Sequence, residues 1–190
     1  MSAMPAVSSR DAELVAEMCA HFQAATPVDD RERESIAEFL DVVPQLSAPF
    51  SEHADVRHVT SSAIVVGRRG VVLHVHKRLG LWLQPGGHID DGEHPAAAAI
   101  RESHEELGLA AAHPHDGPQL IHVDVHPGPR GHRHFDLRYL LLAGDDDPHP
   151  GEGESPEARW FTSEEAFAFA DVGLRGGLVA AERTYVRYRE

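Results

Sequence analysis

Gly87-His88-Ile89-Asp90-Asp91-Gly92-Glu93, continued by Arg101-Glu102-Ser103-His104-Glu105-Glu106-Leu107-Gly108-Leu109, is the stretch that organises this chain. It opens as a glycine-rich loop and closes as an acidic segment. Pro95, Ala96 to Ala99 and Ile100 lie between, and proline in a first turn followed by alanines predicts a helix starting near His94 or Pro95. Gly108 is a good residue just past its end. On that helix Glu102, Glu105 and Glu106 stand at i, i+3 and i+4, so three carboxylates share one face. Like charges this close repel. An arbitrary cluster of glutamates reads as a solvated face, but after such a loop a cation site is expected, and hard oxygens suit Mg2+, with Mn2+ as a substitute.

The spacing resembles the Nudix box. That pattern has a Gly, five residues, a Glu, seven residues, Arg-Glu, an apolar position, any residue, Glu-Glu, any residue, Gly and an apolar residue. Gly87, Glu93, Arg101, Glu102, Glu105, Glu106, Gly108 and Leu109 fill it, and Trp82-Leu83-Gln84-Pro85-Gly86-Gly87 is similar to the usual lead-in. Ser103 departs, standing where the pattern has an apolar side chain, which predicts weaker packing under the helix with the metal face kept.

The resemblance implies a mixed β-sheet sandwiched between helices, an α/β (α+β) fold. It implies a metal-dependent hydrolase that cleaves a nucleoside diphosphate linked to another moiety, by attack of an activated water on phosphorus. Mg2+ held by Glu102, Glu105 and Glu106 would neutralise the diphosphate and acidify water. A Gly87 carbonyl is a further candidate ligand. The catalytic candidates are Glu105, Glu102 and Arg101. Glu105 is the first choice as general base, with Glu102 or a downstream glutamate as alternatives, and Arg101 is expected to point off the metal face and brace a glutamate or the loop. Glu93 should meet the positive end of the helix dipole.

The chain has 190 residues, 42% hydrophobic and 25% charged, which suits a domain with a sizeable core. A net charge of −14 argues against a nucleic-acid surface, though not against an anionic substrate beside bound cations. One cysteine, Cys19, excludes an internal disulfide. With no basic-then-apolar leader and no long apolar run, a soluble cytoplasmic protein is expected, with a small-molecule nucleotide diphosphate as substrate and no nucleic-acid or membrane partner.

Outward from the box, residues 1–8 read as a disordered tail, and 10–24 as a helix capped by Ser8 or Ser9 with Leu14, Val15, Met18, Cys19 and Phe22 as its stripe. A second helix opens at Asp29 or Asp30, carries Ile36, Phe39, Leu40 and Val43, and ends before Pro44. This hairpin extension, residues 1–52, precedes the hydrolase domain, residues 53–190. It must bury its stripe on that domain or on a second copy, so a homodimer is one of two outcomes. Residues 44–56 read as a connector. Val59–Val66 and Val71–Lys77 read as a hairpin, Gln119–His126 and His132–Leu142 as an antiparallel pair, and Arg159–Phe161 as a short strand. Ala110–Pro118 and Asp145–Pro156 read as loops. Ser163 should cap a helix with Ala166, Phe167 and Phe169, and a last helix should cover about 174–188.

The paired strands set His122, Asp124 and His126 beside His134, Asp136 and Arg138 on one polar face. That face is either open to solvent or lines the cleft. In the second case Arg78, Arg138, His134, Asp136 and His126 are the substrate-binding candidates. Fifteen histidines include the pairs His74/His76, His113/His115 and His132/His134, which could suggest zinc. The spacings of common zinc motifs are absent, so these read as surface or cleft residues. Glu152, Glu154 and Glu157 read as a solvated acidic loop, with one of them as a further metal ligand the alternative. The competing function is a catalytically silent Nudix-fold nucleotide-binding or regulatory module, which the intact set of box glutamates disfavours. An isoprenoid diphosphate isomerase would need a cysteine in the cleft, and Cys19 lies outside the presumed domain.

Overall fold

Five helices and eight strands make up the described residues, 8–189, of the computed structural model. In chain order they begin with α1 (Ser9–Ala24), α2 (Asp30–Val42), β1 (Arg57–Gly67), β2 (Gly70–Val75), β3 (Trp82–Leu83), β4 (Gly86–His88) and α3 (Pro95–Leu107). They continue with β5 (Ala111–Ala112), β6 (Gln119–Pro127), β7 (Arg133–Ala143), β8 (Ala158–Phe161), α4 (Ser163–Phe169) and α5 (Val172–Tyr185). The expected tail at 1–8 falls outside these residues, except Ser8, which caps α1.

The strands form one mixed sheet. β1 and β7 run parallel at its centre, from Arg57↔Arg133 to Val66↔Leu142. Every residue of β1 after Arg57 is buried, as a strand covered on both faces requires. β2 and β4 pair antiparallel with successive parts of β1, and β6 and β5 with β7. β3 and β8 extend β2. One face carries Val59, Ala63, Val65, Phe135, Leu137 and Leu141 and packs under α1, α2 and α3. The other carries Ile64, Leu73, Leu140 and Phe161 under α4 and α5. This is the expected sandwich.

The hairpin's stripe goes into the domain's own core. Phe22, Phe39 and Phe135 stack edge to face in a row, at centroid distances of 4.9 and 6.1 Å. α2 also lies along β6, and its buried polar residues have a use there. Ser35 Oγ accepts the Val125 N–H at 3.0 Å, and the Glu32 carboxylate accepts the Val28 N–H at 2.7 Å and faces the Val123 amide, which favours its charge.

Three expectations shift. Thr162, not Ser163, caps α4, and with Glu165 it forms a capping box. The loop at 110–118 contains β5. The polar face is neither open nor a cleft over most of its length. The pairs His122↔Arg138, Asp124↔Asp136 and His126↔His134 are in the expected register, but a lid covers the first two. Arg138 and Asp136, expected at the substrate, are 3% and 4% exposed. The guanidinium donates to Asp136 at 3.0 Å and to the Gly173 carbonyl at 2.6 Å, and lies 3.5 Å from Asp124. Asp136 also accepts from Thr60 and Ser62, and Arg31 closes over Asp124. The lid is the start of α5, whose Gly173, Gly176 and Gly177 lie on Asp124, His122 and Arg138. Alternation places residues on a face. It does not say what covers that face.

Candidate active site

The acidic helix begins and ends where expected. His94 Nδ1 accepts the Ala96 N–H at the start, and Gly108 adopts φ 62° at the end, a left-handed geometry that favours glycine. A Cβ at Gly108 would also stand 1.8 Å from the His149 carbonyl oxygen. The acidic loop runs past this end. His149 N–H donates to the Leu107 carbonyl at 2.8 Å and Gly151 N–H to the Glu105 carbonyl at 3.1 Å. These bonds satisfy carbonyls that a helix end leaves free and bring Glu154 into electrostatic range of Glu106.

Gly86 and Gly87 on β4 form the wall opposite the helix. Gly86 N–H donates to Glu106 Oε2 at 2.8 Å. A Cβ on Gly87 would stand 2.6 Å from Glu102 Oε1, so only glycine lets that carboxylate rest on the backbone. Arg101 ties the parts together. It donates to both oxygens of Glu93, to Glu102 at 2.8 Å and to the His88 carbonyl at 2.9 Å, and approaches Glu105 at 3.4 Å. It thus braces as expected, but it lies against Glu102 and not away from it. Its bonds to Glu93 come first in raising its pKa further. Burial works against the Glu93 charge, but Arg101 and the Asp90 N–H outweigh it and hold Glu93 below its ordinary value. Ser103, the departure from the box, is fully buried, and its hydroxyl donates to the Ala99 carbonyl at 2.7 Å. The cost of a buried hydroxyl is therefore met within the helix.

The three glutamates sit in different surroundings. Burial raises Glu102 against the pull of Arg101. Burial pushes Glu106 up to about 8, with Glu102, Glu154 and Glu105 adding repulsion. Glu105 is the open one, with 52% of its side chain exposed. His74 lies 3.5 Å from Glu106 and is held down to about 4, chiefly by burial. Burial disfavours the charged form of both Glu106 and His74, so their contact is weaker than an exposed ion pair would suggest.

The remaining candidates divide. Arg78 is exposed on the turn after β2, beside Leu79 and Leu81, which are 60% and 49% exposed. His126 is half-buried, with Nδ1 3.2 Å from Asp124. His134 is half-buried among other histidines and held down to about 3 by burial, then by His126, His58 and His88. A cavity of about 490 Å3 opens beside the loop, lined by Glu52, His53, His88, Asp90 and Glu93 among others. A larger one, about 920 Å3, lies at the other end of β1 and touches none of the box carboxylates. Sequence reasoning named His74 only as half of the pair His74/His76 and did not place it beside the box glutamates, and it left Glu154 as one of three equivalent loop glutamates. Nothing in the chain order pointed to His58 or His88.

A family model described as a NUDIX domain matches residues 56–181. The chain belongs to the NUDIX family. The RNA pyrophosphohydrolase of Erythrobacter litoralis is 36% identical over 66 residues, 32% of this chain and 40% of that protein. The RNA pyrophosphohydrolase of Agrobacterium fabrum is 46% identical over 48 residues, 25% of this chain and 28% of that one. The chain thus spans well under half the length of these curated relatives. A NUDIX-family hydrolase from Clostridium perfringens superposes with a TM-score of 0.58 at 28% identity, covering 70% of this chain and 99% of that one. The NUDIX match begins after the helical pair α1–α2, which nevertheless shares the domain's core.

Proposed function

We propose that the chain is a metal-dependent pyrophosphohydrolase that cleaves the diphosphate bond of a nucleotide-type substrate. The observation that carries this reading is the carboxylate set itself. Glu102 and Glu106 are partly buried against the Gly86–Gly87 wall, with Glu105 beside them and Glu154 in range, and desolvation together with mutual repulsion pushes Glu106 up to about 8. Such a set is costly unless a cation neutralises it. All its side-chain donors are hard oxygens, which fits Mg2+ or Mn2+. Glu102, Glu105 and Glu106 would hold the ion, with the Gly87 carbonyl as a further donor. When bound, Mg2+ supplies positive charge against the diphosphate and makes water easier to deprotonate.

The chain's own residues do the rest. Arg101 fixes Glu102 and the loop through the His88 carbonyl, and Gly86 N–H fixes Glu106, so the acidic face is preorganised. Glu105 is the best-placed general base, because its carboxylate alone of the three is half in solvent and can take a proton from an attacking water. Arg78, on its exposed turn with Leu79 and Leu81, is the substrate-gripping candidate, and His126 is a reserve candidate. Arg138 and Asp136 leave that role for a structural one.

Two curated relatives are named RNA pyrophosphohydrolases. An RNA bearing a pyrophosphate bond therefore belongs in the substrate panel beside nucleotide sugars, ADP-ribose, dinucleoside polyphosphates, nucleoside triphosphates and coenzyme A. The test is turnover of that panel with Mg2+, Mn2+ or chelator, by wild type and Glu105→Gln. Metal-dependent cleavage that falls by about 10²–10⁴-fold in kcat is the expected result for a general base. A folded, Mg2+-binding protein that turns over nothing would overturn the reading and leave a nucleotide-binding module.

A further inference from the structure

We propose that His58, His88 and His134 form a second metal site, for a borderline transition-metal dication of which Zn2+ fits best, separate from the carboxylate face. The three side chains come from β1, β4 and β7, brought together because β1 pairs with both other strands: Thr60↔His88 and His58↔His134 are register pairs or next to one. Each offers one ring nitrogen, and these atoms all lie within 4.8 Å of one another. Three nitrogens on one tetrahedral Zn2+, at bonds of about 2.0–2.1 Å, stand roughly 3.3 Å apart, so ring rotation on binding takes up the difference.

The outer contacts point the same way. Metal-ligating histidines typically donate their second ring nitrogen to a carbonyl or carboxylate, which leaves the other lone pair free for the ion. His58 Nδ1 lies 3.3 Å from the Asp55 carbonyl, and His88 Nδ1 lies 3.6 Å from Glu52 Oε1. The Nε2 atoms of His58, His88 and His134 are all buried with no hydrogen-bond partner among the described residues. His58 is fully buried. Three orphaned nitrogens in one place are expensive for a fold to keep, unless something binds them. A Cβ on Gly128 would stand 2.4 Å from His134 Nε2, so glycine is what admits that ring to the cluster. Imidazole suits Zn2+ and its neighbours, whereas Mg2+ prefers oxygen, so the donor types separate the two sites.

Filling this site would pin β4, three residues long, to the two central strands. His88 directly follows Gly87, and its carbonyl is held by Arg101. A dication here would therefore set the stiffness of the wall against which Glu102 and Glu106 rest, without touching them.

The test does not depend on hydrolysis. Full-length chain without a polyhistidine tag is stripped with chelator and titrated with Zn2+, and separately with Co2+, in a large molar excess of Mg2+. One Zn2+ per chain, a rise in Tm and the strong visible bands of tetrahedral Co2+ are expected. Glu52→Gln should weaken Zn2+ by about 10–100-fold, as removal of an outer partner does, and His134→Gln and His88→Gln by more. Glu106→Gln should leave the Co2+ bands in place. His88→Gln, at the most exposed of the three positions, keeps the test valid if His134→Gln does not fold. Zn2+ that Mg2+ displaces, or that is lost in Glu106→Gln and retained in His88→Gln, would place it on the carboxylates and overturn the proposal. So would absence of Zn2+ binding.

Discussion

His122 shows what a single residue is asked to bear in this fold. It is 1% exposed, and burial, then the charge of Arg138, hold it down to about 3. In the unfolded chain it would titrate near its ordinary 6.5. The folded state therefore binds fewer protons than the unfolded one between those values. His122 favours folding above pH 6.5, and its contribution is lost as pH falls from 6.5 toward 3. Between pH 7.5 and pH 5 the loss should be about 2 kcal/mol, at about 1.4 kcal/mol per unit below 6.5. Urea unfolding at the two pH values, for wild type and His122→Gln, measures it. The variant should show a fall smaller by that amount, and equal falls would mean the residue does not sense the folded interior. Its neighbour Asp124 has a linkage of the same sign in a lower pH window. Burial opposes its charge, but His126, Arg31 and Arg138 outweigh burial and hold it well below the carboxylate range, so it adds stability above its ordinary value that is lost in stronger acid.

At the scale of elements, α5 is the part that runs against simple propensity. Gly173, Gly176 and Gly177 would each weaken an isolated helix by about 1 kcal/mol relative to alanine. They are there because the helix lies on a polar layer. A Cβ at Gly176 would stand 2.5 Å from His122 Nε2. Gly176→Ala should therefore destabilise by roughly 1–3 kcal/mol despite its better helix propensity, read as a lower Tm with unchanged far-UV circular dichroism. A stabilised variant would show that the helix is not held this tightly. The same element explains what the sequence concealed. The box helix was legible to the residue, because Pro95, four alanines and Gly108 punctuate it and the glutamates repeat at helical spacing. The long strands were legible, β1 from its β-branched residues and β6 and β7 from alternation. β4 was not, since Gly86, Gly87 and His88 are too few to alternate. The burial of Arg138 was not, because the glycines that admit it lie some 35 residues later on another element. His58, His88 and His134 could be joined only once β1 was known to pair with both β4 and β7.

For the molecule as a whole, the boundary between extension and domain loses its energetic meaning. Val15, Met18, Phe22, Ile36 and Phe39 belong to the same apolar cluster as Val59, Val123, Phe135 and Leu137. Large buried side chains are each worth about 1.5–3 kcal/mol, so a chain starting at residue 47 should lose an amount comparable to the 5–15 kcal/mol that ordinarily separates folded from unfolded. It should be recovered as insoluble or partly unfolded protein, seen in solubility and near-UV circular dichroism, although the NUDIX match at 56–181 would survive entire. A soluble, cooperative fragment with wild-type Tm would refute this. One of the fold's supports thus lies outside the matched domain, the helical pair beneath one face, whereas the glycine-bearing helix above the other falls largely within it.

The contact of α2 with β6 also governs what this protein can join. β6 pairs on one side with β7 and has no strand on its other side among the described residues. Outer strands offer a ready row of amides and carbonyls to any extended chain. Here Ser35 has taken the Val125 amide and Glu32 faces that of Val123, so an incoming strand would find these donors already engaged. Self-association that prolongs the sheet past β6 would first have to lift α2 away. Pairing through this edge is therefore guarded by a helix that lies outside the NUDIX match.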